Sequence, residues 1–311
     1  MEFRNVGFSG LRVSVAGLGC NNFGMRLDQE KTQAVVDKAI DLGVTLFDTA
    51  DVYGGGQSEV MLGKALGDRR QDVIVATKFG SPMGEGPYKS GGSRRYIMAA
   101  CEASLKRLGT DYIDLYQIHR PDASTPLEET MRALEDLVRS GKVRYIGHSN
   151  FAGWQTAEAN AVAKYERIAP FISAQNEYSL LNRKIDGDLV PALQQYNVGL
   201  LPYFPLASGL LTGKYTQGQE PPAGTRLAAW GPRAGRMLSD RNFETIEKLT
   251  TFAQTRGHSI LDLAMGWLAS KSFVPSVIAG ATSPEQIAQN VAALEWRLTP
   301  EEMAEVDKIT A

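Results

Sequence analysis

The chain of 311 residues is 43% hydrophobic and 22% charged, with a formal net charge of −2. That balance offers no field for nucleic acid or an anionic membrane, no run is long and apolar enough to span a bilayer, and two cysteines, Cys20 and Cys101, are too few for a disulfide framework or a closed zinc site. MEFRNVGFSG lacks a basic segment followed by an apolar core, so a reducing cytoplasm is the expected compartment.

The opening EFRNVGFSGLRV is expected to form a hairpin turned at Ser9-Gly10. VSVAGLG (13–19) reads as a strand, and QEKTQAVVDKAIDLG then repeats apolar residues at helical spacing until Gly43. TLFDTA (45–50) is strand-like and SEVMLGKALG (58–67) helical; DVIVATK (72–78) is a strand. SRRYIMAACEASLKRLG (93–109) is a helix opened by Ser93 and closed by Gly109. DYIDLYQIH (111–119) is a strand, and PLEETMRALEDLVRSG (126–141) is a helix with acids first and Arg139 late, as the macrodipole prefers.

VRYIGHSN (143–150), FISAQNEY (171–178), VGLLPYFPL (198–206) and VPSVIAGA (274–281) complete the strands. Helical segments fall near 153–167, 188–196, 240–271 and 284–294. Eight strands, each followed by a helix, point to a closed (β/α)8 TIM barrel, a single domain over residues 1–311 with the hairpin capping its bottom. Residues 207–239, rich in Gly, Pro and Ala, form a long loop after the seventh strand, and loops of that length usually carry function.

In such barrels the chemistry collects where strands end. Here those ends are Asp48, Lys78, His119, Ser149-Asn150, Gln175 and Tyr203, with Tyr53 mounted beside three glycines in LFDTADVYGGGQSE. Each alone has a plain structural reading: a turn-capping acid, a solvated lysine, a capping histidine, a half-buried tyrosine. Together they suit proton donation to a carbonyl oxygen as hydride reaches its carbon. A free phenol titrates near 10, and an ammonium beside it should lower that value by about three units. Asp48 would hold Lys78, and a neutral His119 would aim the substrate oxygen.

These segments resemble the aldo-keto reductase family along nearly the whole chain. LFDTADVYGGGQSE, ATKFG, DLYQIHRPD, GHSNF, AQNEYSLLNR, LPYFPLASGLLTGKY and VIAGATSPEQIAQN stand in family order and spacing. GGSRRYI and the final motif are similar to the branch holding bacterial reductases and potassium-channel β subunits. The resemblance implies catalysis by Asp48, Tyr53, Lys78 and His119, with Tyr53 the proton donor. It implies that Ser149, Asn150 and Gln175 hold the nicotinamide amide and that Tyr203 stacks beneath its ring. Leu206, Ser208, Gly209 and Lys214 would cover the pyrophosphate, and Arg226 would stand near the adenosine phosphate. Gly280, Thr282, Gln286, Gln289 and Asn290 would form the adenosine pocket at a helix N-terminus. Cys20, Asn21, Asp48 and Phe204 complete the cofactor-binding set.

Two departures from the family pattern bear on the cofactor. Gly280, Ala281 and Gln286 replace Lys-Ser and Arg, so phosphate recognition rests on Thr282, Lys214 and Arg226; NADPH is favoured and NADH remains open. Phe204 replaces a small residue after the stacking tyrosine. The substrate is expected to be a small carbonyl compound in a pocket walled by Asn22 to Met25, Pro82 to Tyr88 and 216–239 with Trp230, an apolar set suiting a hydrophobic or aromatic carbonyl. Homo-oligomerisation stays open.

GLLTGKY is no phosphate-binding P-loop, because three residues rather than four separate its glycines and Tyr215 stands where magnesium needs a hydroxyl. No G-x-G-x-x-G follows the first strand. His148 and His258 read as supporting residues rather than metal ligands. Two alternatives remain: a regulatory subunit that binds NADPH but turns over slowly, and a glycoside hydrolase using Glu177 opposite another carboxylate.

Overall fold

The computed structural model describes residues 1–310, so position 311 lies outside it. The chain begins with an antiparallel pair, β1 (Phe3–Asn5) and β2 (Arg12–Ser14), in the register Phe3 to Ser14. Its connection spans residues 6–11, with the Val6 N–H donating to Leu11 C=O; Gly7, at φ 57, packs its backbone against Asn197 and Ile172 carbonyls, leaving no room for a Cβ. Val6, Leu11 and Val13 bury themselves against Leu46, Ala76, Leu115, Ile172, Leu201 and Ile278, one apolar cluster from several strands.

Eight parallel strands follow: β3 (Ala16–Gly19), β4 (Leu46–Asp48), β5 (Ile74–Phe79), β6 (Ile113–Ile118), β7 (Val143–Ser149), β8 (Ser173–Gln175), β9 (Gly199–Leu200) and β10 (Val277–Gly280). They form one curled sheet in the order β10-β3-β4-β5-β6-β7-β8-β9. A parallel sheet under helices takes both faces out of water, and β3, β4 and β6 are buried at every residue, the polar Asp48, Asp114 and Gln117 included. The outer strands also approach one another, because Leu200 N–H donates to Phe273 C=O (2.7 Å) and Ile278 N–H to Pro202 C=O (3.4 Å).

The helices between strands are α1 (Gln29–Asp41), α2 (Gln57–Leu66), α3 (Arg94–Leu108), α4 (Leu127–Arg139), α5 (Gly153–Glu166) and α6 (Leu189–Tyr196). Several start where the sequence supplies a cap: Asp28 accepts from Lys31 N–H, and Ser93 from Tyr96 N–H. The expected strand over 198–206 is cut short at Leu200, because Pro202 lacks an N–H and Phe204 adopts φ 52; only the bridge between Glu177 and Tyr203 extends the pairing.

The segment 207–239 is partly ordered into the short helix α7 (Arg226–Trp230) and 3-10 turns at Ala207–Thr212 and Gly231–Arg236. The helix expected over 240–271 is two helices, α8 (Asp240–Gln254) and α9 (Ile260–Ala269). Gly257 at φ 77 breaks the first, and Ser259 with Asp262 forms a capping box for the second. After α10 (Pro284–Ala292) a further helix, α11 (Pro300–Thr310), buries Val306.

Candidate active site

Neighbouring strands β4 and β5 deliver Asp48 and Lys78 to the same end of the sheet. The Lys78 ammonium donates to both carboxylate oxygens of Asp48 (2.8 and 2.7 Å) and to the Thr49 carbonyl (2.8 Å), which uses its three hydrogens. Its side chain is fully buried. Gln175, from β8, donates its amide to Asp48 Oδ1 at 2.8 Å, so the carboxylate has partners on two sides.

Tyr53 opens a 3-10 turn through Gly54, Gly55 and Gly56, all with positive φ. Side chains at these positions would strain the backbone, so the glycines let the chain fold back and keep the phenol over the pair. The Lys78 nitrogen lies 5.4 Å from the Tyr53 ring centroid, and the His119 ring stands edge-on to Tyr53 at 5.9 Å. The structure thus gathers all four expected catalytic side chains at one spot.

The electrostatics differ from the sequence expectation in one respect. The Tyr53 phenol is pushed above its ordinary 10, not below it: burial dominates, and although Lys78 pulls downward, Asp48 pushes back. The Lys78 field still favours the phenolate more than Asp48 opposes it, and it is burial that outweighs Lys78 in the resting site. For Lys78 itself burial is the largest influence and opposes the charge, but Asp48, Tyr53 and Cys20 together outweigh it and the group is raised. His119 is lowered to about 3 by burial, aided by Lys78 and Arg120, and is a neutral imidazole at physiological pH. Burial likewise raises the Cys20 thiol well above its ordinary value, leaving it inert.

Beside this cluster, Ser149 donates its hydroxyl to Gln175 C=O (2.7 Å) and Asn150 its amide to His119 C=O (3.0 Å). Asn150 sits at φ 61, a conformation asparagine tolerates better than most residues. Its Oδ1 accepts from the Tyr203 hydroxyl at 2.9 Å, which pins the aromatic ring across the cavity. Phe204 follows, packed against Tyr203 and under the Arg226 guanidinium at 5.1 Å from its ring centroid.

One cavity of about 1220 Å³ connects these groups to the N-terminus of α10. Its wall includes Cys20, Asn21, Asp48, Tyr53, His119, Ser149, Asn150, Gln175, Tyr203 and Phe204. Leu206, Ser208, Gly209, Lys214, Arg226, Gly280, Thr282, Gln286, Gln289 and Asn290 complete the expected set along its length. Lys78 alone of the expected residues stays behind the wall. Thr282 donates from N–H and hydroxyl to Gln286 Oε1 (2.8 and 2.9 Å), closing a ring at the helix start.

Of the expected substrate walls, Asn22 and residues 223–226 line the cavity, whereas Trp230 does not. Phe23 is buried in the core, and residues 82–88 are absent from the cavity lining. What sequence reasoning missed is cationic: Arg26 and Arg120 line the same cavity as Lys214 and Arg226, while Asp48 is the one acid on its wall. Arg120 was legible, standing directly after His119. Also missed was the layer behind Tyr53, where buried Glu59 accepts from Thr77 and pairs with Arg107 (both 2.6 Å). There Asp51 is raised to about 7, chiefly by burial and then by Glu59. Among the described residues no cluster of His, Cys, Asp and Glu could hold a metal ion.

A parallel sheet that gathers Asp48, Lys78 and His119 at one end, with Tyr53 from the turn after β4, opens onto a long cleft lined by four cations. The chain belongs to the aldo/keto reductase family, whose profile matches residues 16–311. It is similar to the L-glyceraldehyde 3-phosphate reductase of Escherichia coli O157:H7, at 39% identity over 99% of this chain and 92% of the relative. It is also similar to a probable voltage-gated potassium channel subunit beta of Oryza sativa subsp. japonica, at 41% identity over 100% of this chain and 96% of the relative. The uncharacterized oxidoreductase YrpG of Bacillus subtilis (strain 168) is 38% identical over 97% of this chain and 93% of its own length.

Proposed function

We propose that the protein is an NADPH-dependent carbonyl reductase, reversibly converting an aldehyde or ketone to an alcohol. The observation that carries this reading is the buried phenol of Tyr53, set between the Lys78–Asp48 pair and the neutral His119 ring. Family membership and relatives named as reductases support the reaction class.

The residues fit a nicotinamide dinucleotide. A cavity of about 1220 Å³ exceeds the ~300–1,000 Å³ usual for a small ligand alone, leaving space for a carbonyl compound beside the cofactor. Ser149, Asn150 and Gln175 would hold the carboxamide, Tyr203 the ring face, and Ser208, Gly209 and Lys214 the pyrophosphate. Arg226 and Thr282 would meet the adenosine phosphate, with Gln286, Gln289 and Asn290 around the adenosine. Bound there, the cofactor supplies the hydride.

The protein's own work is with the proton. Burial keeps Tyr53 loaded, so the donor is present across the physiological range. As the proton leaves for the substrate oxygen, phenolate forms beside the Lys78 ammonium. That attraction exists only as charge develops, so it lowers the barrier rather than stabilising the resting state. His119 Nδ1 is buried without a partner, which leaves Nε2 as the nitrogen able to donate to the substrate oxygen.

We read the curled sheet as a closed (β/α)8 barrel capped by β1 and β2; the bonds joining the outer strands and the burial of Val6, Leu11 and Val13 support this. The test of function is a panel of aldehydes, ketones and sugars followed by loss of NADPH absorbance. Multiple turnovers with at least one carbonyl are expected. NADPH binding without turnover of any of them, or oxidation of one equivalent only, would replace this reading with that of a regulatory subunit.

A further inference from the structure

We infer that the carbonyl substrate is anionic, carrying a phosphate or carboxylate that Arg120 binds. This rests on the carbonyl-reductase reading above. Four cations line the cavity, Arg26, Arg120, Lys214 and Arg226, and among the described residues none of them forms an ion pair. The single acid on the wall, Asp48, is already occupied by Lys78 and Gln175. In a chain whose net charge is −2, so much unpaired positive charge in one cleft is a selective feature.

The proposed cofactor accounts for two of the four, Lys214 and Arg226. Arg120 stands elsewhere. It follows the end of β6, and in the strand order β10-β3-β4-β5-β6 that end lies four places from β10, across the ring from the start of α10 where the adenosine would sit. Its charge reaches the catalytic groups instead, bearing on both His119 and Tyr203. Glu177, which also acts on Tyr203, neither lines the cavity nor pairs with Arg120. Arg26 donates to the Gly224 carbonyl (3.2 Å) and presses on Arg226, like charge against like. That places Arg26 with the cofactor's arginine, whereas a substrate anion beside Arg120 gains the fork of guanidinium donors suited to phosphate or carboxylate. Both oxyanions share this chemistry.

The test compares kcat/KM for matched pairs in saturating NADPH: glycolaldehyde phosphate against glycolaldehyde, and succinic semialdehyde against butanal. The parent protein should prefer at least one anion by roughly 10-fold or more, the scale of a charge-assisted hydrogen bond. Which pair shows the larger ratio distinguishes phosphate from carboxylate. Arg120→Ala should reduce that ratio about 10-fold, the guanidinium being exposed and partly screened by solvent. Calorimetry of glycerol 3-phosphate and of succinate with the NADPH-saturated protein reads the same subsite without turnover. Turnover of the neutral aldehydes with no anion preference overturns the inference and leaves the reductase reading standing. Absence of binding by both anions, or a preference untouched in Arg120→Ala, overturns it equally.

Discussion

Asp48 and Lys78 neutralise one another out of reach of water: both carboxylate oxygens lie within 2.8 Å of one ammonium whose side chain has no exposed surface. Removing one partner of such a pair strands a buried charge, whereas replacing both with uncharged groups need not cost stability. Asp48→Asn alone is expected to lower unfolding stability by roughly 3–5 kcal/mol, and adding Lys78→Met should recover most of the loss. Urea unfolding of both variants measures this. Additive losses in the double variant would mean that the two charges are not acting as a unit.

Burial beside this pair leaves Tyr53 a reluctant acid, raised above 10 despite the pull of Lys78. With His119 lowered to about 3, neither group changes charge between pH 6 and 9. The rate of carbonyl reduction at saturating NADPH should therefore be flat across that window and decline only on its alkaline side. Tyr53→Phe should lose about 10²–10⁴-fold in kcat with NADPH affinity nearly unchanged. A bell-shaped profile centred near neutrality would point to a different acid.

Strand ends were legible because a buried parallel sheet writes them as an apolar run stopped by a polar residue, and Asp48, Lys78, His119 and Gln175 all met that pattern. Charge strength was not legible, since the effect of Lys78 on Tyr53 depends on where Asp48 puts its oxygens. Nor was the break between α8 and α9 taken from Arg-Gly-His-Ser, although Ser259 and Asp262 spell a capping box there. The cationic wall escaped notice because Arg26 and Arg120 belong to loops from separate strands, and only folding brings them to one cavity.

Arg226 offers a separate check on cofactor choice. It is half-buried over Phe204 and has no acid partner among the described residues, with burial and Arg26 both working against its charge. If it meets the phosphate that distinguishes the two cofactors, Arg226→Ala should weaken NADPH by about 10–100-fold and NADH far less. Fluorescence titration with each cofactor decides this. Equal weakening would mean that the arginine supports the fold of the loop instead.

His148 provides a prediction on stability alone. It is fully buried, stacked 4.6 Å from Phe151, with Nε2 3.2 Å from the Thr156 hydroxyl and Nδ1 without a partner. Burial lowers it from 6.5 to about 3, so between those values the unfolded chain binds a proton that the folded chain rejects. Its contribution is present above pH 6.5 and is lost as pH falls, at about 1.4 kcal/mol per unit, or about 2 kcal/mol by pH 5. Asp51, raised to about 7, works in the opposite sense, so total stability against pH mixes the two. A variant separates them. His148→Phe keeps the stacked ring and forfeits the Thr156 contact at every pH, so the informative quantity is the change in unfolding stability between pH 7.5 and pH 5. That change should be about 2 kcal/mol less unfavourable in the variant than in the parent; an identical change in both would show that His148 takes up no proton on unfolding.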